Sequence, residues 1–94
     1  MHFAALIIEI HIAGCSSLKE KRGHLKPLLA ALHKNFNIAA AEVEKQDVHD
    51  YALIACVAVS GDRDHLSRVL NKLPDWIESQ RPDLSVIDEE WLNL

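Results

Sequence analysis

The apolar run at residues 2–12 constrains the fold more than any other part of the chain. The side chains at the even-numbered positions from 4 to 12 are all apolar: Ala4, Leu6, Ile8, Ile10 and Ile12. Those at the odd-numbered positions are mostly apolar as well: Phe3, Ala5, Ile7, Glu9 and His11. A period of two is the side-chain period of a β-strand, and a strand that is apolar on both faces is typical of the middle of a sheet. The run therefore predicts a central strand that ends at Ala13-Gly14.

A helix is predicted to follow, because Ser17 and Glu20 have the Ser-x-x-Glu spacing of a capping box. Six apolar side chains recur at helical spacing on one stripe: Leu18, Leu25, Leu28, Leu29, Leu32 and Phe36. Pro27 lies on the opposite side and lacks the N–H that a helix interior uses, so we expect a bend there.

The second half of the chain repeats the alternation. Residues 37–45 alternate but carry Glu42 and Glu44, which favours an edge strand. Residues 46–50 form a predicted hairpin connection, and residues 51–60 are an uncharged apolar run that predicts a second central strand.

A second helix is predicted to open at Gly61-Asp62 and to be kinked or split at Pro74. Residues 84–94 then predict a last, acidic strand.

The resulting order is βαββαβ in one domain of residues 1–94, with the first and third strands in the middle of an antiparallel sheet. Right-handed crossovers place both helices on one face. The prediction is an α+β, ferredoxin-like fold. The other face is then bare, and seven side chains are assigned to it: Phe3, Ile7, Glu9, His11, Ile38, Glu42 and Glu44. Bare apolar surface favours a partner, so we expect a homodimer.

Composition and charge limit the classes of function that the chain can have. The formal net charge is −4, so a globally basic nucleic-acid binder is excluded and any polyanion contact must be local. The two cysteines match no metal or redox motif; Cys15 is expected in an exposed loop and Cys56 in the core. No leader or membrane-spanning pattern is seen, which predicts a cytoplasmic protein without a membrane partner.

Basic residues crowd the start of the first helix, where the helix dipole favours acidic ones. Lys19, Arg22 and Lys26 lie along one flank of the helical wheel together with His33, and Lys21 is close to the helix start. One interpretation is a solvated helix flank. The other is a site for an anion or an RNA backbone formed by Lys19, Lys21, Arg22 and Lys26.

A second set of polar residues falls on the predicted bare face: Glu9, His11, Glu42 and Glu44. Carboxylate and imidazole can bind zinc or manganese or exchange protons. The same residues also suit a hydrogen-bonded patch at a dimer interface. No Ser-His-Asp pattern and no glycine-rich phosphate loop is present. The sequence therefore favours a protein without enzyme activity, cofactor or small-molecule substrate over a metal-dependent enzyme.

Several segments together resemble the YlxP-like family of small bacterial proteins. They are residues 6–12 (LIIEIHI), 17–22 (SLKEKR), 36–37 (FN), 41–43 (AEV) and 46–47 (QD). The resemblance implies a ferredoxin-like fold without an established activity or cofactor, and a connection to RNA or the ribosome. Ala13 before Gly14, where the family usually has proline, and the helix prolines Pro27 and Pro74 depart from the family pattern.

Three functions stay open in order of preference. The first is an RNA- or ribosome-associated binding module, and the second is an assembly protein that uses the bare sheet face. The third is a small metal-dependent enzyme.

Overall fold

The computed structural model describes residues 1–92. Its elements run in the order β1 (His2–Ile12), α1 (Leu18–Phe36), β2 (Ala39–Glu44), β3 (Tyr51–Ser60), α2 (Arg63–Asn71), α3 (Leu73–Gln80) and β4 (Leu84–Leu92). The predicted bounds of β1 and β3 are confirmed. The predicted last strand is confirmed to Leu92, and its final two residues lie outside the described part of the chain.

The four strands form one antiparallel sheet in the order β2-β3-β1-β4. The uncharged β3 and the apolar β1 are central, and the charged strands are at the edges. This confirms the ferredoxin-like prediction. Charge sorts the strands because an edge strand exposes more of its side chains to water than a central one.

The core lies between the helices and one face of the sheet. On β1 the buried parity is the all-apolar one, including Leu6, Ile8 and Ile10. From α1 the buried leucines are Leu25, Leu28 and Leu32. Burial of each such side chain contributes roughly 1.5–3 kcal/mol, so the core accounts for much of the fold's stability.

The two prolines act differently. The first helix runs unbroken through Pro27. Pro74 instead lies in the first turn of α3, where its missing N–H would have had no helical partner. Lys72 ends α2 and begins α3, so the predicted split at Pro74 is confirmed. Among residues 1–92, no helix combines the length and hydropathy needed to cross a membrane.

A bulge in β2 changes which side chains face the helices. Glu42 pairs with Ile54, but Glu44 pairs with Leu53, so Val43 is an extra residue. Ile54 is buried beneath the helices, and paired residues share a face. Glu42 therefore points to the helix layer and Glu44 to the open face. The prediction that both lie on the open face was wrong for Glu42.

Ile38 corrects the same prediction. It precedes β2 and is buried in the core rather than on the open face. The predicted alternation is present, but the face was assigned the wrong way round, because nothing in the short strand itself marks which parity is covered.

Candidate functional site

Lys21 is almost completely buried, with 1% of its surface exposed. Its position explains this, because Lys21, Leu25, Leu28 and Leu32 are spaced four, three and four residues apart and form the buried stripe of the helix. Its Nζ atom lies 2.6 Å from Oε2 of Glu42 and donates hydrogen bonds to two backbone carbonyls, of Lys45 at 2.7 Å and of Val48 at 2.6 Å. The ammonium thus makes two hydrogen bonds to backbone oxygens and an ion pair with the Glu42 carboxylate.

This arrangement removes Lys21 from the predicted anion site. A buried ammonium is tolerated only when it is paired and hydrogen-bonded, and here those partners come from the protein itself. Oε2 of Glu42 is likewise shut off from water and faces Lys21. Lys21 therefore joins α1 to the β2–β3 connection and is buried away from any ligand in solvent.

The start of α1 also carries a carboxylate of its own, that of Glu20. Ser17 is the N-cap, and its Oγ accepts the N–H of Glu20 at 3.1 Å. The carboxylate of Glu20 accepts the N–H of Ser16 at 3.2 Å and its hydroxyl at 3.0 Å. The predicted cap is confirmed, although the glutamate reaches back to Ser16 rather than to Ser17. The N-cap therefore satisfies the N–H of Glu20, and the Glu20 carboxylate already places a negative charge beside the first turn of the helix.

Three predicted site residues are exposed and face solvent together: Lys19, Arg22 and Lys26. We call them the basic ridge. Their spacing of three and four residues puts them on one face and along about 10 Å of the helix axis. None of the ion pairs among residues 1–92 involves them.

His33, which was predicted on the same flank, has a local role. Its Nδ1 lies 2.8 Å from the carbonyl oxygen of Ile38 and so ties the end of α1 to the start of β2.

The open face of the sheet carries a row of carboxylates. Glu44, Leu53, Glu9 and Asp88 are neighbours across the four strands, and we call this the acidic row. Lys45, which follows β2, donates to Oε2 of Glu9. The other two carboxylates of the row have no such partner in the described part of the chain.

Aromatic rings flank the acidic row. His11 and Tyr51 are paired across β1 and β3, with ring centroids 4.8 Å apart. The ammonium of Lys45 lies 5.8 Å from the centroid of Tyr51, within the range of a cation–π contact.

The four predicted metal candidates are not brought together. Glu9, His11 and Glu44 share the open face, whereas Glu42 is on the helix side and engaged by Lys21. No set of three or more His, Cys, Asp or Glu side chains within residues 1–92 has the spacing to hold a metal ion. Glu9 is instead engaged by Lys45.

The chain matches a protein-family profile over residues 3–91, nearly its full length, and that family is described as proteins of unknown function, DUF503. The chain belongs to the DUF503 family. This DUF503 chain is also 32% identical over 71 residues to the uncharacterized protein YlxP of Bacillus subtilis strain 168, covering 76% of this chain and 77% of YlxP. The predicted YlxP-like family is confirmed.

A solved structure supports the fold of the DUF503 chain. It is a Chloroflexus aurantiacus J-10-fl protein named as a candidate antibiotic biosynthesis monooxygenase, and it superposes with a TM-score of 0.60. The alignment covers 99% of this chain and 93% of that protein at 16% identity. At that identity the likeness concerns the fold alone, since this fold hosts many unrelated functions.

Both cysteines of the DUF503 chain are free and buried. The prediction that Cys15 is exposed was wrong: its Sγ lies 3.5 Å from the carbonyl oxygen of Ser17, and its own carbonyl oxygen lies 2.9 Å from Nδ1 of His49. Burial raises the pKa of the Cys56 thiol to about 12. Burial therefore disfavours the thiolate of Cys56, which is the nucleophilic form of a cysteine.

A small cleft lies between the end of α1 and the start of α2. Its volume is about 100 Å³, and its polar lining includes Asn37, Ser60 and His65. Ligand pockets usually hold roughly 300–1,000 Å³, so this cleft is too small for a typical ligand. The basic ridge and the open sheet face are the two exposed surfaces of the DUF503 chain that carry candidate binding residues.

Proposed function

We propose that this protein binds the sugar–phosphate backbone of RNA through the basic ridge of Lys19, Arg22 and Lys26. The observation that carries the proposal is the exposure of these three cations on one face of α1, without an acidic partner in residues 1–92. Lysine and arginine contacts to phosphate supply most non-specific nucleic-acid affinity.

The distribution of charge supports this direction of approach. The acidic row lies on the open face of the sheet, and α1 belongs to the layer on the other face. An RNA strand that lies along α1 therefore has the whole sheet between its phosphates and those carboxylates. A net charge of −4 is compatible with RNA binding only when charge is separated in this way.

The ridge favours backbone contact over base recognition. Its side chains are flexible cations on one helix, and phosphate contacts of that kind position a nucleic acid without reading its sequence. We place this binding module in the cytosol, near ribosomal RNA, as a protein without catalytic activity. Two free thiols suit a reducing compartment.

The test measures binding of the full chain to a fluorescent single-stranded RNA, a uridine homopolymer of about 20 nucleotides, by anisotropy over a range of salt concentrations. Three phosphate contacts predict a slope of log affinity against log salt of about −2. The variant Lys19→Glu, Arg22→Glu and Lys26→Glu should lose at least about tenfold in affinity and flatten the slope.

A matched control carries the same change of net charge elsewhere. Arg63→Glu, Arg68→Glu and Lys72→Glu reverse three exposed cations in and just after α2. If this control weakens binding as much as the ridge variant, the effect is one of net charge and the ridge is not the site. Lys21 is left unchanged in both variants because its burial would confuse binding with folding.

A further inference from the structure

The open face divides into an apolar half and a charged half. Next to the acidic row, three successive rows of residues paired across the strands carry apolar side chains on the open face. We call these rows the apolar half. They are Phe3 and Val59; Ala39, Val57, Ala5 and Leu92; and Ala41, Ala55 and Ile7. Most of the larger side chains are well exposed, including Val59 at 68% and Val57 at 42%, and Ile7 is partly buried. Glu90 stands at the rim of this half, on edge strand β4.

We propose that the apolar half is the contact surface between two copies of this chain, and that the acidic row sets the limit of their overlap. The contact is isologous, with the same patch on both copies. It concerns the face of the sheet opposite α1, so it is independent of the proposed RNA site.

The position of the two-fold axis follows from the charges. An axis parallel to the strands would place the acidic row of one copy against the acidic row of the other. Burying like charges against each other is unfavourable, and Lys45 compensates only Glu9. A two-fold axis perpendicular to the strands, through the Ala5–Val57 row, packs the apolar half of one copy against the apolar half of the other. The acidic row then falls beyond the edge of the partner and stays in water.

The available area predicts a weak dimer. Four strands about 4.8 Å apart and three rows about 6.8 Å apart give roughly 400 Å² of sheet face per copy. Two copies would bury roughly 800 Å², below the usual range of about 1,200–2,000 Å² for a stable complex. We expect a rapidly reversible dimer with a dissociation constant between about 10 μM and 1 mM.

A second copy fits this surface better than a strongly basic partner does. A basic partner would seek the acidic row, where Glu44 and Asp88 remain unpaired in residues 1–92. The apolar half has only Glu90 at its rim and offers nothing to pair with a cation at its centre. A neutral apolar surface can be buried against a second copy of itself without bringing like charges together.

The test is sedimentation equilibrium of the full chain without RNA, up to about 1 mM, the upper limit of the expected range. Val57→Asp should abolish dimerisation, because it puts an unpaired carboxylate at the centre of the contact. Val48→Asp is the control: Val48 has a similar exposure of 36% but lies in the β2–β3 connection. Circular dichroism must show that both variants fold.

A second pair of variants tests the limit set by the acidic row. Glu44→Gln with Asp88→Asn should tighten the dimer at least about tenfold, because more of the face can then be covered. Asp47→Asn with Glu89→Gln removes the same charge outside the open face and should have a smaller effect. A wild-type chain that stays monomeric throughout overturns the proposal, as does a dimer that survives Val57→Asp.

Discussion

Lys21 and Lys45 hold the β2–β3 connection from opposite faces of the sheet. Nζ of Lys21 reaches the Lys45 carbonyl from the helix layer at 2.7 Å, and the ammonium of Lys45 pairs with Glu9 on the open face. Lys45 itself has a left-handed backbone, with φ of 59°, which is uncommon for a lysine. The loop conformation is therefore maintained by contacts with both layers.

Lys21→Met should destabilise the fold by about 3–5 kcal/mol, the usual cost of removing one partner of a buried ion pair. The substitution leaves the Glu42 carboxylate without its ion-pair partner and two loop carbonyls without their hydrogen-bond donor. Chemical denaturation followed by circular dichroism measures the loss.

Two further variants separate the buried pair from general charge effects. Lys21→Met with Glu42→Leu should recover part of the stability, because the unpaired carboxylate is gone. Lys45→Met removes a partly exposed pair and should cost only about 0.2–1 kcal/mol. Equal losses for Lys21→Met and Lys45→Met would contradict the role assigned to Lys21.

Lys19→Glu should stabilise the protein by about 0.3–1 kcal/mol at low salt, since an acidic residue in the first turn of α1 complements the helix dipole. Lys34→Glu, in the last turn of the same helix, should do the reverse. Thermal unfolding at low and high salt distinguishes the two, because salt screens the effect. A loss of stability in Lys19→Glu would show that this lysine makes a structural contact.

Asp62 should contribute to acid sensitivity. Hydrogen bonds from the backbone N–H groups of His65 and Asp64 lower the pKa of this N-cap carboxyl below its usual value. A lowered folded-state pKa gives stability that is present above the unfolded pKa, about 3.9, and is lost as the pH falls through the folded one. Asp62→Asn keeps a capping oxygen and should reduce this acid loss. An unchanged dependence of unfolding free energy on pH would exclude Asp62 as a source.

The thiols should be protected in the native state. Burial raises the pKa of Cys56 to about 12, so little thiolate forms near neutral pH, and Cys15 is buried as well. A colorimetric thiol reagent should react slowly with the folded protein and with both thiols after denaturation. Rapid reaction of one thiol in native Cys56→Ala would show that Cys15 is accessible.

Much of the fold was predictable because local and long-range signals agree. The parity of β1 fixes its buried face, Ser17 marks the start of α1, and Pro74 divides the second helix. Each of these signals involves residues that are close together in the sequence, and the folded structure contains the element that each signal predicts.

The candidate site was less predictable because a charged residue type suggests surface exposure even where the residue occupies a core position. Lys21 occupies a core position in the α1 stripe, yet its type suggests a surface residue, and only its spacing from Leu25 and Leu28 marks it for burial. Glu42 becomes its partner across a loop that sequence spacing cannot place. The face of β2 required the structure, because nothing in its sequence marks Glu42 for the helix side, and the bulge at Val43 then returns Glu44 to the open face.

The bulge at Val43 has a counterpart in β4, and together they have a consequence for solubility. In β4, Asp88 pairs with Glu9 but Val86 pairs with Ile10, so Ile87 is an extra residue. Each interrupts an outer strand at the level of Glu9, the first in β2 and the second in β4. An arriving strand from another molecule would find no long, regular ladder of free backbone groups on either side. Growth of the sheet sideways into fibrils is thereby discouraged, even in a chain whose central strands are strongly apolar.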